Sequence, residues 1–286
     1  MKKMLFLAGL FLLGLTVSAQ RVRIADLNAY NKLIPIDSLV FTVQYDVSMV
    51  EDVNQPDSLT KETMMLRVGK EVSEYYCYTS FIADSVLRAD VQAGASQQTM
   101  MEHLQQYGFG VISHRIYKNY PKGKLTLLDR IVMDNYMVEE PMSRIDWTIH
   151  PDTGAICGYL CQKATAHLHG RDYEAWFTPE IPRSDGPWRL RGLPGLILKA
   201  EDTQQHYRFI ATGIEQNRET SSLVEISETS RRKVSRKELN KLHERYNADP
   251  QGYIRVNSPN VKLTVTDKMG NAIRKMSNPY NPMELN

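Results

Sequence analysis

The sequence lacks the short signatures that mark many enzyme classes. It holds no G-x-S-x-G nucleophile elbow, no phosphate-cradling G-x-x-x-x-G-K, no H-E-x-x-H metal helix and no C-x-x-C pair. Gly108-Phe109-Gly110 supplies two glycines of a dinucleotide fingerprint without the third. These absences argue against the motif-bearing enzyme classes and leave any cofactor unidentified, but they leave open a site assembled from scattered residues. Charge of one sign is missing as well. The 35 basic residues exceed the 33 acidic ones by Lys2 and Lys3 alone, both at the extreme N-terminus. A chain without a basic face offers no footprint for nucleic acid. The run Arg231-Arg232-Lys233, with Arg236 and Lys237, reads as a solvated approach to a helix. Neither an internal repeat nor a low-complexity linker interrupts the chain.

What opens the chain is a leader. Met1-Lys2-Lys3-Met4 precedes an apolar run from Leu5 to Leu15, and Val17 and Ala19 occupy the two small positions that a signal peptidase reads. A membrane span needs about 20 apolar residues, and this run is shorter. Residues 1–19 are therefore expected to be a cleaved signal peptide, with no transmembrane segment after cleavage and a periplasmic or extracellular destination. Residues 20–286 are long enough for one large domain. Cysteine is scarce, and outside the cytoplasm Cys77, Cys157 and Cys161 allow one bridge and one free thiol. The sequence does not choose the partners.

The apolar period is that of a β protein. Leu39, Phe41, Val43, Tyr45, Val47 and Met49 alternate with mostly polar neighbours, the mark of a half-buried strand. Strands at Thr63–Val68 and Val72–Tyr78 flank Gly69-Lys70 as a hairpin. Between Ser80 and Gly108 the composition shifts toward two short helices, the second following Ser96 and ending at Gly108. Strands are expected again at Val111–Tyr120, Leu125–Ile131, Tyr136–Glu139 and Ile145–Ile149, followed by a turn at His150–Gly154. Tyr159–His169, Tyr173–Phe177, Leu196–Ala200 and His206–Ile214 continue the pattern. Ser235-Arg236-Lys237-Glu238 has capping-box spacing and predicts a helix to about Tyr246. A last strand is expected at Lys262–Thr266. The fold class is mainly β with a few helices (α+β): a curved antiparallel meander, half-barrel-like.

Three segments carry the candidate chemistry. In an unbroken strand Tyr159–His169, residues Cys161, Lys163, Thr165, His167 and His169 share one face. His167 and His169 would stand about 7 Å apart, a pair suited to Zn²⁺ or Cu²⁺, while Cys161 would lie about 20 Å from His167. A solvent-facing polar row explains the same spacing. Next, Arg171 and Glu174 are candidates for a polar ligand and Trp176 for a stacked one; core packing and an ion pair are the plain alternatives. Lastly, Pro194-Gly195 has the residue order of a type II turn and launches Leu196–Ala200. That turn and Gly186-Pro187 bracket Trp188, making Trp188, Leu193 and Pro194 either a rigid presenting loop or a folding device.

Gly192-Leu193-Pro194-Gly195-Leu196-Ile197 resembles the motif for which the GLPGLI family is named, a group of exported proteins from one Gram-negative lineage. Tyr159, Cys161, Lys163-Ala164, Gly170-Arg171, Ala175-Trp176, Ile181-Pro182, Gly186-Pro187-Trp188 and the closing Asn281-Pro282-Met283-Glu284-Leu285 fit the same pattern, whereas Cys157 departs from it. The resemblance is densest from Tyr159 to Leu198. It implies export and a single β-rich domain over 20–286, and it brings no catalytic residues. Three functions follow as expectations. The first is a non-catalytic envelope protein holding an apolar ligand or assisting an outer-membrane protein. The second is a periplasmic Cu or Zn protein using His167 and His169 with Cys161 or His150. The third is a hydrolase around Arg171, Asp172, Glu174 and Asp185.

Overall fold

The computed structural model of the chain describes residues 32–108, 110, 112–132, 134–219, 221–257 and 277–285. The leader and the strand expected at Lys262–Thr266 lie outside them. Strand β1 (Leu33–Val50) is the axis. Phe41, Val43, Tyr45, Val47 and Met49 are buried as their alternation requires. Its outer half pairs with β2 (Leu59–Gly69) on one side and β11 (Tyr207–Gln216) on the other, and its first half pairs with β12 (Leu223–Ser227), all antiparallel. The Asp37 carboxylate accepts the amides of Glu71 and Val72 at 2.6 and 2.8 Å, closing the turn from β2 into β3 (Ser73–Cys77).

Two helices follow, α1 (Tyr78–Gln92) and α2 (Gln97–Tyr107). Ser96 caps the second by accepting the Thr99 amide at 3.1 Å, and Gly108 ends it at φ 82°, a conformation that favours glycine. The chain then builds β4 (Arg115–Lys118), β5 (Lys124–Ile131) and β6 (Asp134–Pro141), followed by β7 (Thr148–Ile156), β8 (Tyr159–Leu168), β9 (Arg171–Thr178) and β10 (Leu196–Asp202). After β12 come the short β13 (Arg232–Lys233), α3 (Arg236–Ala248) and α4 (Pro250–Asn257). The strand order is β13-β6-β5-β4-β3-β2-β1-β11-β10-β9-β8-β7, antiparallel except for the β13–β6 pair. The architecture is the expected one: a large, open, curved sheet, mainly β, with four helices.

Burial separates the two faces of the sheet. One carries the main core, in which Tyr45, Leu66, Tyr75, Ile116, Leu127 and Phe209 meet Trp188, Leu190 and Leu193 from the β9–β10 connection and Leu239 and Tyr253 from α3 and α4. A smaller cluster of Val72, Tyr117, Leu128 and Val224 fills the other. The site described below lies on the main-core face.

Local expectations are corrected in five places. His150–Gly154 is not a turn but part of β7, the edge strand of the sheet among the described residues. Pro151 is tolerated there because one side of an edge strand has no ladder to feed, and the register against β8 shifts between Ile149 and Thr153. Gly195 has no left-handed φ, so Pro194-Gly195 is not a type II turn. Its need for glycine is close approach instead: a Cβ there would stand 2.1 Å from the Thr178 carbonyl oxygen. The capping box forms by half, because Ser235 accepts the Glu238 amide at 3.2 Å while the Glu238 carboxylate takes Arg232 at 2.7 Å. The bridge allowed among the cysteines is absent, and all three are free thiols. Cys77 ends β3 far across the sheet, and in the β7–β8 hairpin Cys161 faces Gly154 while Cys157 sits in the turn at φ 52°. Finally, β12, β13 and α4 are elements the apolar pattern did not announce.

Candidate functional site

A cavity of about 450 Å³ opens on the main-core face. Its floor is sheet, from Met49 of β1 and Leu127 and Asp129 of β5. One wall is the approach to β4 with Ser113 and His114, and another is Trp188. The roof is α3, through Arg236, Leu239, Asn240 and His243, together with the segment from Asn278 to Glu284. Ser235 fixes where α3 begins, and Leu239 and Leu242 bury one stripe of it, which turns Arg236, Asn240 and His243 toward the cavity.

The roof is held by Arg171. This guanidinium is buried, and it donates through Nε to the Met283 carbonyl at 3.0 Å and through Nη2 to Asn281 Oδ1 and the Pro282 carbonyl, each at 2.7 Å. Its Nη1 pairs with the buried Asp202 at 2.7 Å, and its plane lies 5.0 Å from the centre of the Tyr207 ring. Asn281 donates to the Val50 carbonyl at 2.7 Å, Tyr207 donates its hydroxyl to the Asn281 carbonyl, and the Leu285 amide reaches His169 at 2.9 Å. These bonds anchor residues 281–285, a stretch with no regular structure of its own.

Around the cavity the accounting is different. Glu140 takes Arg189 at 2.7 Å and Arg236 at 2.6 Å, and Glu284 takes Arg189 at 2.6 Å. The fourth edge of this square is a longer ion pair: Arg236 Nε and Glu284 Oε2 stand 3.6 Å apart, beyond hydrogen-bond distance, and neither atom has a hydrogen-bond partner. Burial would raise the Glu284 carboxyl, but Arg236 and Arg189 outweigh it and hold it below the ordinary range. His114 Nε2 is the third buried polar atom without a partner at this wall. Burial pushes its imidazole down to about 4, so it is neutral at pH 7. Its ring stands edge-on to Trp188 with centres 4.5 Å apart.

Asp129 accepts from Ser113 at 2.8 Å and contacts His243 Nε2 at 2.7 Å. Burial would raise its carboxyl, but His243, His114 and Ser113 together hold it low. The residue types are those of a nucleophilic triad, but the order is wrong. The carboxylate stands between serine and histidine, and the Ser113 hydroxyl is directed at Asp129 and the Arg130 carbonyl, so the imidazole does not touch the oxygen it would need to activate.

The residues expected to form a site scatter. His167 is exposed at the end of β8 and bonds Asp172 at 2.7 Å, whereas His169 leaves the strand and occupies a two-residue turn with Gly170 at φ 48° and 80°. Lys163, Thr165 and His167 do alternate with the buried Ala164 and Ala166, but Cys161 is buried out of that phase and His169 lies past the end of the strand, so neither joins the row. His150 bonds Thr165 at 2.8 Å. Among the described residues, no three His, Cys, Asp or Glu side chains stand close enough together to hold a metal. Glu174 pairs with Lys163 at 2.5 Å and accepts Trp176 Nε1 at 2.8 Å, and the indole packs over Gly154. Asp185 is buried against Lys118, whose ammonium also reaches the Gly186 carbonyl. Arg171, Asp172, Glu174 and Asp185 thus have separate partners and no common pocket. Leu193 is fully buried, and Pro194 is exposed beside Trp147 at a hollow of about 280 Å³. Of the expected binding residues, only Trp188 lines the main cavity. His114, Asp129, Arg236 and His243 went unmarked because nothing sequence-local joins them; Glu284, in the closing motif, was the one available signal.

Comparison with known proteins adds little to this geometry. The model of the Porph_ging family, described as a protein of unknown function, matches residues 169–199, the stretch from the β8–β9 turn into β10. No curated protein matches the chain. Among solved structures, two crystal forms of PNGF-II align with TM-scores of 0.46 at 10% and 11% identity, covering 71% and 72% of this chain. The chain spans about a third of the length of those structures, 32% and 33%. No helix among the described residues is long and apolar enough to cross a membrane. The matched segment carries Arg171, Trp188 and the Gly192–Ile197 run, and the match is consistent with an uncharacterised family of that type.

Proposed function

We propose that the protein is an exported envelope protein that holds a small ligand in the cavity between the sheet, α3 and the C-terminal segment, without transforming it. The leader at residues 1–19 supports the address. One observation carries the binding role: a cavity of about 450 Å³ is lined by Leu127, Trp188 and Leu239 together with the polar side chains of Ser113, Asn240 and His243. A mixed apolar lining with a few convergent polar groups is the usual composition of small-molecule sites. The ligand expected from the sequence was apolar; the cavity favours one with an apolar body and a polar end.

A ligand bound only by the folded state raises thermal stability by mass action. Protein purified gently from the cell envelope is expected to melt at a higher temperature than the same protein stripped by unfolding and refolding. In Asn240→Trp, which fills the cavity from α3, the two preparations should melt together. Identical melting of wild-type protein before and after stripping would contradict the proposal.

A further inference from the structure

A second, smaller hollow of about 70 Å³ is lined by four arginines: Arg88 of α1, Arg115 of β4, Arg130 of β5 and Arg231 from the loop between β12 and β13. We infer that it binds a tetrahedral oxyanion, phosphate or sulfate, free or as the end group of a larger molecule. Arg115 pairs with Glu74 at 3.0 Å and lies 5.1 Å over the Tyr76 ring, which fixes its plane. Arg231 donates to the Ser227 and Thr229 carbonyls, each at 2.9 Å, bonds that position it and carry no compensating charge. Arg130 stands 3.9 Å from Asp84, at the outer limit of an ion pair. Arg88 is half-buried and makes no hydrogen bond or ion pair among the described residues, and the same holds for the side-chain amide of Asn135 in the same lining. Two donors are thus uncommitted beside two that the fold has already aimed.

Charge and size select the ligand class. The lining holds two carboxylates, Asp84 and Asp129, against the four guanidiniums, an excess of two positive charges that a dianion balances. Asp129 is already engaged by Ser113 at 2.8 Å and His243 at 2.7 Å. Glu74, behind Arg115, is shared with Arg67 at 3.2 Å and does not serve Arg115 alone. A cation is repelled by this lining, and a halide brings one charge without direction. A tetrahedral oxyanion accepts several N–H bonds at once, and the planar guanidinium fork matches its oxygens two at a time. The volume admits such an ion but no bulky organic body, so a larger molecule would leave its remainder in solvent.

The test titrates purified protein with phosphate and with sulfate at about pH 8, where phosphate is mainly a dianion, and with chloride at equal ionic strength. Binding is read by calorimetry and melting temperature. Both oxyanions are expected to bind and to raise the melting temperature beyond chloride. Arg88→Met keeps helix propensity and removes the charge. It should fold as the wild type does and bind phosphate about tenfold more weakly. Asp84→Asn removes an opposing carboxylate and should tighten phosphate about fivefold. Phenyl phosphate separates the two sources: tighter binding than inorganic phosphate identifies a monoester end group, and weaker binding the free ion. Asn240→Trp, which fills the larger cavity, should leave phosphate affinity unchanged. Oxyanions no better than chloride, or equal phosphate affinity in wild type and Arg88→Met, would mark the binding as adventitious and overturn the inference. Loss of phosphate binding in Asn240→Trp would place the anion in the larger cavity and overturn it as well.

Discussion

Two arginines face the same C-terminal segment, and the fold employs them in opposite ways. Arg171 is enclosed by the protein and spends its guanidinium on Asp202, Asn281, Pro282 and Met283. Arg236 spends one edge on Glu140 and faces Glu284 through Nε at 3.6 Å, an ion pair without a hydrogen bond. A buried charge tolerates desolvation when it is paired and hydrogen-bonded, and Arg171 meets that condition. The difference separates structure from function. From the most distinctive stretch of the sequence, Arg171 and Arg189 fasten the segment, and the less conspicuous residues it covers line the cavity proposed as the binding site.

The largest effect is expected where the fastening is cut. Arg171→Met strands Asp202 in the interior and frees the segment. Removing one partner of a buried pair costs about 3–5 kcal/mol, measurable by denaturant unfolding. A loss below about 1 kcal/mol would show that the segment is held by something else. Leu193→Ala opens a hole among fully buried neighbours and is expected to cost about 2–5 kcal/mol, with no new ligand preference. These two changes sharpen the comparison, since both belong to the fastening half and should act through stability alone.

How much of this was legible follows from range in sequence. The β1 alternation, the Ser96 cap and the Gly108 stop are local signals, and the corresponding elements formed. The β7 edge misled because Pro151-Asp152-Thr153-Gly154 has turn composition, and only the strand order shows that no strand among the described residues lies beyond it. His169 was placed on a strand because alternation extends through it, while Gly170 already permitted the two-residue turn. The cavity draws on residues far apart in sequence, such as Asp129 with His243, 114 positions apart, and Arg189 with Glu284, 95 apart. No period or spacing encodes such meetings. Arg236 in particular was read with its basic neighbours as a solvated run, and its side chain proves to be only 18% exposed.

A smaller effect is expected from acid. The imidazole of His114 titrates at about 4 in the folded chain, below its ordinary value of 6.5. Between those values the unfolded chain binds the proton and the folded chain does not, so stability falls as pH is lowered through that window. Asp129 and Glu284, both held low, extend the loss further into acid. In His114→Phe the decline between pH 6.5 and 4 should flatten, as read from melting temperature against pH. An unchanged slope would mean that this imidazole is not buried uncharged. The smallest effect belongs to Pro194→Ala. The residue is exposed, and a surface change of this kind is expected to stay within about 0.5 kcal/mol, despite its place in the most recognisable run of the sequence.

That last variant provides the sharpest contrast between fastening and binding. Native mass spectrometry of protein taken gently from the envelope can compare wild type, Pro194→Ala and Asn240→Trp side by side. The account predicts a small adduct on wild type and on Pro194→Ala, and none on Asn240→Trp. An adduct that survives Asn240→Trp and vanishes with Pro194→Ala would place the ligand at the Gly192–Ile197 run and contradict it.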